Sequence, residues 1–344
     1  MTDQDLNRYI RQIRFPGMGE SAQRKLQESR VLLVGCGALG SVIANTLVRA
    51  GIGLIRIVDR DYLELNNLQR QVLYDESDVE GGLPKAVVAA EKLRAINSDV
   101  VIEPVVADVT FENVEGLATD VDLLMDGTDN FEIRFLLNDV SQKHEIPWVY
   151  GGCLGADGQT MTIVPGKTPC LACLMSEGPP SPGSTPTCDS AGILGPIINI
   201  IASLQCTEAI KILSGNGEQI SRCLNVVEVW DNRFRQLSLD SLQEQDCPVC
   251  KNGVYEFLNG GRGSQSAVLC GRNSVQLSFA GETLDLEALE SELEKMGKVQ
   301  RNPFLLRFEI DQYQITLFPD ARAIISGTDD VATARSLYAK HVGN

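Results

Sequence analysis

The chain has 344 residues, a formal net charge of −16 and 43% hydrophobic residues. This length allows about two domains, and a composition near the globular average excludes disordered and fibrous proteins. The acidic balance argues against DNA or RNA as a partner, because binding to a phosphate backbone needs a positive surface. A small basic protein would suit the charge, although such acidity most often serves solubility.

The sequence predicts a cytoplasmic protein without a membrane partner. No run approaches the ~20 continuous apolar residues of a spanning helix, and residues 1–20 lack the apolar core of a signal peptide. In a reducing compartment, we expect the ten cysteines to be metal ligands, nucleophiles or buried apolar residues rather than disulfide partners. With two histidines in the chain, a Ser-His or Cys-His catalytic machine is disfavoured.

Short apolar runs alternate with helix-like patterns in the first half of the chain, which predicts a parallel sheet with helices on both faces. The predicted strands are 31–34, 54–58, 100–106, 123–125 and 148–150. The predicted helices are 41–50, 84–95 and 131–144, with Gly51 as a helix C-terminal glycine. This order is that of a Rossmann-like, doubly wound α/β fold.

The second half predicts an antiparallel extension of the sheet and then a small separate α/β domain. Residues 159–164 and 223–230 read as strands, 177–187 as an exposed mobile loop, and 193–213 as a long apolar helix. A linker at 259–264 divides the chain into domains 1–258 and 265–344. The small domain is predicted to have strands at 275–279, 304–310, 314–318 and 323–325, with helices at 286–296 and 331–341.

A glycine motif predicts a nucleotide site. Gly35, Gly37 and Gly40 follow the first strand and open a helix, and Asp59 ends the next strand. Glycines let a backbone approach a phosphate, the helix N-terminus favours negative charge, and the acid can bind ribose hydroxyls. NAD, FAD and ATP all remain open at this point.

Charged residues around the motif favour a triphosphate over a nicotinamide dinucleotide. Several cations beside a nucleotide suit phosphoryl or nucleotidyl transfer, in which a carboxylate holds Mg²⁺. Each charge alone would more often be a solvated surface group. They lie in the stretches Arg8–Gln12, Asp59–Asp61, Asn66–Gln71, Pro84–Lys85 and Asp126–Asn130.

Two Cys-x-x-Cys pairs predict a structural zinc site. Four thiolates in two knuckles suit tetrahedral Zn²⁺ with every position filled by protein. The long gap between the pairs is unusual, and it means that the metal would tie the end of the domain to its middle. The alternative is two independent redox or incidental pairs. The four residues are Cys170, Cys173, Cys247 and Cys250.

The chain resembles the ThiF/MoeB/HesA proteins, bacterial relatives of ubiquitin-activating enzymes, over residues 5–253. The motifs that carry the resemblance are RYIRQ, VGCGALGS, IVDRD, NNLQRQ, DGTDN, PCLAC, TCDSAGILGP and CPVC, in that order. The resemblance implies a homodimeric adenylation domain in which Arg11 reaches the phosphates of the other subunit's site. It also implies that Asp59 binds ribose, that Asn67, Arg70 and Lys85 hold the triphosphate, and that Asp129 holds Mg²⁺.

The activity implied by this resemblance is ATP-dependent adenylation of a carrier protein. The C-terminal Gly-Gly carboxylate of a MoaD- or ThiS-like sulfur carrier, or of a ubiquitin-like protein, would attack ATP and release pyrophosphate, for sulfur transfer or conjugation. A separate sulfurtransferase is a further candidate partner. Three alternatives stay open: an NAD- or FAD-dependent oxidoreductase, a non-catalytic carrier-binding scaffold, and activation of a peptide C-terminus in a natural-product pathway.

Two further cysteines are candidates for covalent chemistry. Cys188 lies just before the long apolar helix, whose N-terminus would lower a thiol pKa, whereas neighbouring Asp189 would raise it. In some family members a cysteine at this position takes up the activated carrier or takes part in sulfur transfer. Cys270 could relay sulfur or an acyl group. No rhodanese-like active-site loop follows residue 260, so the role of the small domain is open.

Overall fold

An eight-stranded sheet forms the centre of the larger of two units in a computed structural model of the chain. The structure describes residues 6–180, 191–243, 246–260, 266–269, 273–277, 279 and 283–343. The larger unit takes residues up to 185 and 193–262, and the smaller takes 186–192 and 263–344.

Strands β1 to β5 are parallel, and β6 to β8 extend the sheet with antiparallel pairing. Their order across the sheet is β3-β2-β1-β4-β5-β6-β7-β8. The order in which strands are added therefore reverses between β1 and β4, which is where doubly wound folds bind ligands. The strands are β1 Arg30–Val34, β2 Leu54–Val58, β3 Val101–Val105, β4 Leu123–Asp126, β5 Trp148–Leu154, β6 Asp157–Ile163, β7 Cys223–Glu228 and β8 Arg233–Ser238.

Helices cover both faces of this sheet, and alternate strand residues fill two separate cores. In β1, Leu33 joins one core and Leu32 joins the other, as expected for a sheet buried on both sides. The helices are α1 Ile10–Ile13, α2 Gly19–Glu28, α3 Ala38–Ala50, α4 Glu76–Gly81, α5 Lys85–Ile96, α6 Val114–Leu117, α7 Phe131–His144, α8 Leu171–Leu174, α9 Gly195–Leu213 and α10 Asp240–Gln243.

The long helix α9 is a core helix of this unit. Ile197 and Ile201 are fully buried, and a Cβ on Gly158 of β6 would lie 2.4 Å from Ile201 Cγ1. Among the described residues it is the helix long and apolar enough to cross a membrane, but half of its apolar window is buried inside the fold. The helix contains Glu208 and Lys211, so it is not a continuous apolar run, and its packing accounts for its hydropathy.

Within its described residues, the smaller unit has a six-stranded antiparallel sheet and two helices, with its own core around Phe308, Ile315 and Tyr338. Its strand order is β11-β12-β13-β14-β10-β9. The elements are β9 Ser266–Leu269, β10 Ser274–Leu277, α11 Leu286–Leu293, β11 Lys298–Asn302, β12 Leu305–Ile310, β13 Tyr313–Leu317, β14 Ala323–Ser326 and α12 Val331–His341. The predicted α/β class, with its antiparallel extension and small α/β unit, is confirmed.

Strand β5 differs most from its prediction, because it runs on to Leu154 instead of ending at Tyr150. It pairs with β6 along its whole length, from Trp148 opposite Ile163 to Leu154 opposite Asp157. Glycine is needed at position 151 of this strand, because the Gln205 side chain occupies the space that another side chain would need. A Cβ on Gly151 would lie 2.4 Å from the Gln205 side chain.

A buried carboxyl ties the segment after the second cysteine pair to α7. Asp139 is 1% exposed and accepts hydrogen bonds from the backbone N–H groups of Phe257 and Leu258, at 3.0 and 3.2 Å. Burial raises the pKa of Asp139 to about 6, although these two hydrogen bonds lower it. The carboxyl therefore titrates within the range in which the protein is handled.

Replacing Asp139 with Asn should remove one pH-dependent contribution to the free energy of unfolding. Because the folded pKa lies above the ordinary 3.8, the contribution is fully present below about pH 4 and is lost as the pH rises through about 6. Asn keeps an acceptor oxygen and cannot ionise. In urea unfolding, the free energy of unfolding of Asp139→Asn minus that of wild type should increase by about 2–3 kcal/mol between about pH 4 and neutral pH.

A variant of opposite sign is the control for this measurement. Hydrogen bonds from Lys92 and Ser77 lower the pKa of exposed Asp75 to about 2. Asp75→Asn should therefore lose stability relative to wild type as the pH rises from about 2 to about 4, with no further change above that range. Parallel pH profiles for Asp139→Asn and wild type would contradict the titration of Asp139.

Candidate nucleotide and metal sites

Three glycine backbones meet where β1 turns into α3. A Cβ on Gly40 would lie 1.9 Å from Gly35 O, and a Cβ on Gly127 would lie 2.3 Å from the same oxygen. Gly35 also has φ +84°, which a side chain would strain. Gly37, the N-cap of α3, gives no side-chain cap, so the start of the helix is open to an anion.

Asp59 joins this loop to the end of β2. It is 8% exposed, and its two oxygens accept hydrogen bonds from Cys36 N at 2.6 Å and Asp61 N at 2.7 Å. Burial raises the pKa of Asp59, and the charge of Lys85 lowers it. Each carboxylate oxygen has a further lone pair, so the group can still accept a ribose hydroxyl.

Lys85 is a buried cation at the first position of α5. It is 2% exposed, and its Nζ lies 3.3 Å from Asp61 Oδ2. Tyr74 holds the two segments together, because its hydroxyl donates to Cys36 O at 2.7 Å and to Lys85 O at 3.4 Å. The structure thus brings the predicted Asp59, Asp61 and Lys85 to the glycine loop.

Asn67 and Arg70 lie on the turn that follows β2, which contains the 3₁₀ segment Leu65–Asn67. Asn67 is 2% exposed, and its amide bonds to Glu64 N and Asn66 Oδ1 inside the same turn. Arg70 uses Nη1 on Asn66 O at 2.9 Å and has further donors for a ligand. Asn67 therefore shapes the turn in this structure, whereas Arg70 has donors to offer.

Asp129 is exposed on the loop after β4. A buried ion pair holds this loop, with Arg134 Nε at 3.0 Å from Asp126 Oδ2 and Nη2 donating to Thr128 O at 2.7 Å. Although burial lowers the pKa of Arg60 at this edge of the sheet, the charges of Asp108, Asp61 and Asp129 outweigh that effect, so the pKa is raised. The roles of Gly127 and Arg134 were not predicted, because the contact of Gly127 with Gly35 joins segments distant in sequence and no sequence pattern marks the pairing of Arg134 with Asp126.

Arg11 lies at the wrong end of α3 to reach its own chain's glycine loop. Its neighbour Gln12 donates to Ala50 O at 3.0 Å, and Tyr9 packs on Gly51 and accepts from Asn97 at 2.8 Å. These contacts fix α1 at the C-terminus of a 13-residue helix, about 20 Å from its N-terminus. The other candidates come together in one chain, and Arg11 does not join them.

Three cysteines outside the two Cys-x-x-Cys pairs bear on the predicted chemistry. Cys188 and Cys270 lie outside the described residues. Cys36 is fully buried, and burial raises the pKa of its thiol to about 12. It is therefore neutral at physiological pH and packs under the glycine loop.

The two Cys-x-x-Cys pairs meet in one cluster. Sγ–Sγ distances are 3.8 Å for Cys170–Cys173, 3.7 Å for Cys170–Cys247 and 3.5 Å for Cys173–Cys250. Tetrahedral Zn²⁺ with Zn–S bonds of about 2.3 Å sets its sulfurs about 3.8 Å apart. Hydrogen bonds with the neighbouring thiols, Cys170 first, lower the pKa of Cys250. The donor set and its spacing fit Zn²⁺.

Backbone turns position the two knuckles of this cluster. Cys170 precedes α8, whose first N–H, on Leu171, donates to Asn138 Oδ1 at 2.8 Å. Cys247 accepts from Lys251 N at 3.1 Å. Cys170, Cys173 and Cys247 are buried and Cys250 is half-buried, and four protein sulfurs leave no open coordination position, which favours a structural site over a catalytic one.

Purified protein should contain about one Zn²⁺ per chain, and Cys247→Ser should lose it and unfold at a lower temperature. Metal content by mass spectrometry and thermal unfolding check both results. The matched control is Cys223→Ser, because half-buried Cys223 lies on β7 outside the cluster. Full zinc content in Cys247→Ser would rule out the four-sulfur site.

Comparisons with known proteins agree with this architecture. A family model described as the ThiF family matches residues 9–249. The chain is 44% identical over 338 residues to the sulfur carrier protein ThiS adenylyltransferase of Bacillus subtilis, covering 98% of this chain and 99% of that protein. It is 40% identical over 253 residues to the SAMP-activating enzyme E1 of Haloferax volcanii, covering 74% and 92%.

A solved structure shares the fold of the larger unit. E. coli MccB superposes with a TM-score of 0.61 at 23% identity, over 73% of this chain and 73% of that chain. At this level of sequence identity, the likeness shows a shared fold alone. The glycine loop, Asp59, Lys85 and Asp129 all lie inside the range that the family model matches. The chain belongs to the ThiF family.

Proposed function

We propose that this chain is an ATP-dependent adenylyltransferase that activates the C-terminal glycine carboxylate of a small sulfur-carrier protein. The observation that carries the proposal is the open N-terminus of α3 with Asp59 and Lys85 buried beside it. The Bacillus subtilis relative, which matches the small unit as well, is named for ThiS. A ThiS-like carrier is therefore the first substrate to test, with MoaD-like and ubiquitin-like proteins next.

The proposed reaction needs charge neutralisation and alignment more than acid–base chemistry. The carrier carboxylate is already ionised at neutral pH; its oxygen bonds to the α-phosphorus of ATP, and pyrophosphate leaves. Lys85 and Arg70 offset the phosphate charge, and the start of α3 supplies backbone N–H groups. Mg²⁺, for which Asp129 offers a carboxylate, would neutralise further phosphate charge when bound.

ATP–pyrophosphate exchange with Mg²⁺ tests this function, with each small Gly-Gly-terminated protein of the source organism added in turn. We expect exchange that requires one carrier and falls at least about 100-fold in Asp129→Ala, because a charge-stabilising group is lost. The control Glu112→Ala removes an exposed carboxylate after β3 and should keep full exchange. Cys188→Ser should also keep it, since any covalent transfer follows adenylation.

Two outcomes would redirect the proposal. Absence of exchange with every carrier, together with tight binding of NAD or FAD, would support the oxidoreductase alternative. Carrier and ATP binding without exchange would support the scaffold. The paired cations and carboxylates at the glycine loop argue against both, because they suit a triphosphate and its metal.

We further propose that Arg11 acts in the active site of the partner subunit of a homodimer. The contacts of Tyr9 and Gln12 hold α1 at the far end of α3 from its own glycine loop. Arg11 is exposed there, and Ile10 and Phe15, 37% and 64% exposed, flank it. Exposed apolar side chains around a cation suit a protein interface, and a symmetric dimer would carry the arginine to the second site.

Mixing two inactive variants tests this arrangement. Arg11→Ala and Asp129→Ala should each lose exchange, but equal amounts of the two, refolded or co-expressed together, should recover about one quarter of wild-type activity. That fraction follows because half of the dimers are mixed and each has one intact site. Arg14→Ala, at an exposed position one turn later, should stay active. No recovery in verified mixed dimers would place Arg11 in its own subunit's site.

A further inference from the structure

The outer strands of the antiparallel extension form a cavity. It has a volume of about 140 Å³ and is lined by Asp157, Val226, Glu228, Arg233 and Arg235. Glu228 of β7 pairs with Asp157 on β6 and with Arg233 on β8, and Val226 pairs with Arg235. Directly paired residues of an antiparallel sheet stand on the same face. The cavity therefore lies on one face of these three strands, within the larger unit.

A row of paired residues on this face leads from the cavity to the loop after β4. The row takes one residue from each of four strands: Arg235, Val226, Gln159 and Gly152. A Cβ on Gly152 would lie 3.4 Å from Arg134 Nη2, and the same nitrogen donates to Thr128 O at 2.7 Å. Thr128 precedes Asp129, the proposed Mg²⁺ ligand. The cavity and the loop of Asp129 are thus connected across one face of the sheet.

The span of this row suits a flexible C-terminal tail. Neighbouring strands lie about 4.8 Å apart, so the four spacings from β4 to β8 amount to roughly 19 Å. An extended chain covers about 3.3–3.6 Å per residue, and about six residues therefore bridge this distance. A protein that docks over the cavity can lay such a tail along the row and bring its carboxylate to the phosphates.

Arg235 leaves a positive charge at the outer end of the row. Its side chain is exposed and makes no ion pair or hydrogen bond within the part of the chain that the structure describes. Arg233 pairs with Asp231 of the hairpin turn at 2.9 Å, but both side chains are more than half exposed, so the pair is weak. Glu228 serves the same turn, because it accepts from Asp231 N at 3.0 Å. The remaining acid, Asp157, lies two strands away, so the β8 end of the cavity is cationic.

The hairpin that carries Arg235 has the composition of a protein interface. Leu237, the next residue of β8 on this face, is 50% exposed, and Trp230 in the hairpin turn is 76% exposed. Tryptophan and arginine are enriched at the centres of interfaces and contribute most to affinity there. β8 is also the edge strand of its sheet, which leaves this surface open to a partner.

We propose that Arg235, supported by Arg233, binds an acidic side chain on the body of the carrier protein while the carrier's C-terminal tail crosses the sheet to the nucleotide site. This inference rests on the proposed function, because it takes a carrier with a flexible tail as the partner. The chain as a whole carries a net charge of −16, so an acidic side chain is attracted at this cavity and repelled by most of the remaining surface. The cavity therefore selects which carrier binds and in which orientation.

Charge reversal of Arg235 tests this assignment by ATP–pyrophosphate exchange in the full-length protein, with the carrier that supports exchange in the wild type. In Arg235→Glu the KM for the carrier should rise about 10- to 100-fold, because like charges then face each other. The kcat, the ATP affinity and the thermal midpoint should stay at wild-type values, since Arg235 is exposed and lies four strands from the phosphates. The matched control is Arg222→Glu, which makes the same charge change at an exposed residue just before β7.

Carrier variants complete the test. The acidic residues of the carrier are replaced by lysine one at a time, and one replacement should improve exchange by Arg235→Glu at least about 10-fold while weakening exchange by the wild type. Such reciprocal rescue shows that the two side chains meet, which a structural role of Arg235 would not produce.

Three results would overturn the assignment: an unchanged carrier KM in Arg235→Glu, an equal rise in Arg222→Glu, or failure of every carrier replacement to improve exchange by Arg235→Glu. The second would reduce the effect to general charge attraction. Failure of the proposed function is distinguishable, because wild-type protein would then show no exchange with any carrier, and the inference would fall with it.

Discussion

Contact among the backbones of Gly35, Gly40 and Gly127 is the constraint on which the rest of the nucleotide site depends. It joins the ends of two neighbouring parallel strands and the first turn of α3 at distances that admit no side chain. With the loop held there, Cys36 N meets the Asp59 carboxylate and Cys36 O meets Tyr74. The ends of β2 and α5 are thereby set around one open helix N-terminus.

The charges at this edge of the sheet are paired before any ligand is considered. Lys85 faces Asp61, and Arg134 faces Asp126. A buried charge without a partner would be costly, so these pairs let the chain place cations at the glycine-loop edge of the sheet without destabilising the fold. Arg11, which we propose acts in the partner subunit's site, differs because its side chain is exposed on its own chain. It therefore needs no buried partner there.

Sequence patterns predicted the Rossmann-like half well, because β1 and β2 are continuous apolar runs followed by diagnostic residues. They missed β8, where all six side chains are exposed and no apolar alternation marks the strand, and they ended β5 too early because the fit of Gly151 against Gln205 is a long-range contact. The candidate charges were named from sequence, but their pairing was not.

The cysteine cluster has a consequence for how the chain reaches its folded state. Cys170 and Cys247 are 77 positions apart, and α9, β7 and β8 lie between them. Bridging so long a loop removes unfolded-state entropy worth about 4–5 kcal/mol in a simple cross-link calculation. The second knuckle is synthesised only after the whole antiparallel extension, so metal can close the loop only late. Closure of the cluster therefore concerns the finished antiparallel extension and leaves the earlier-made glycine loop untouched.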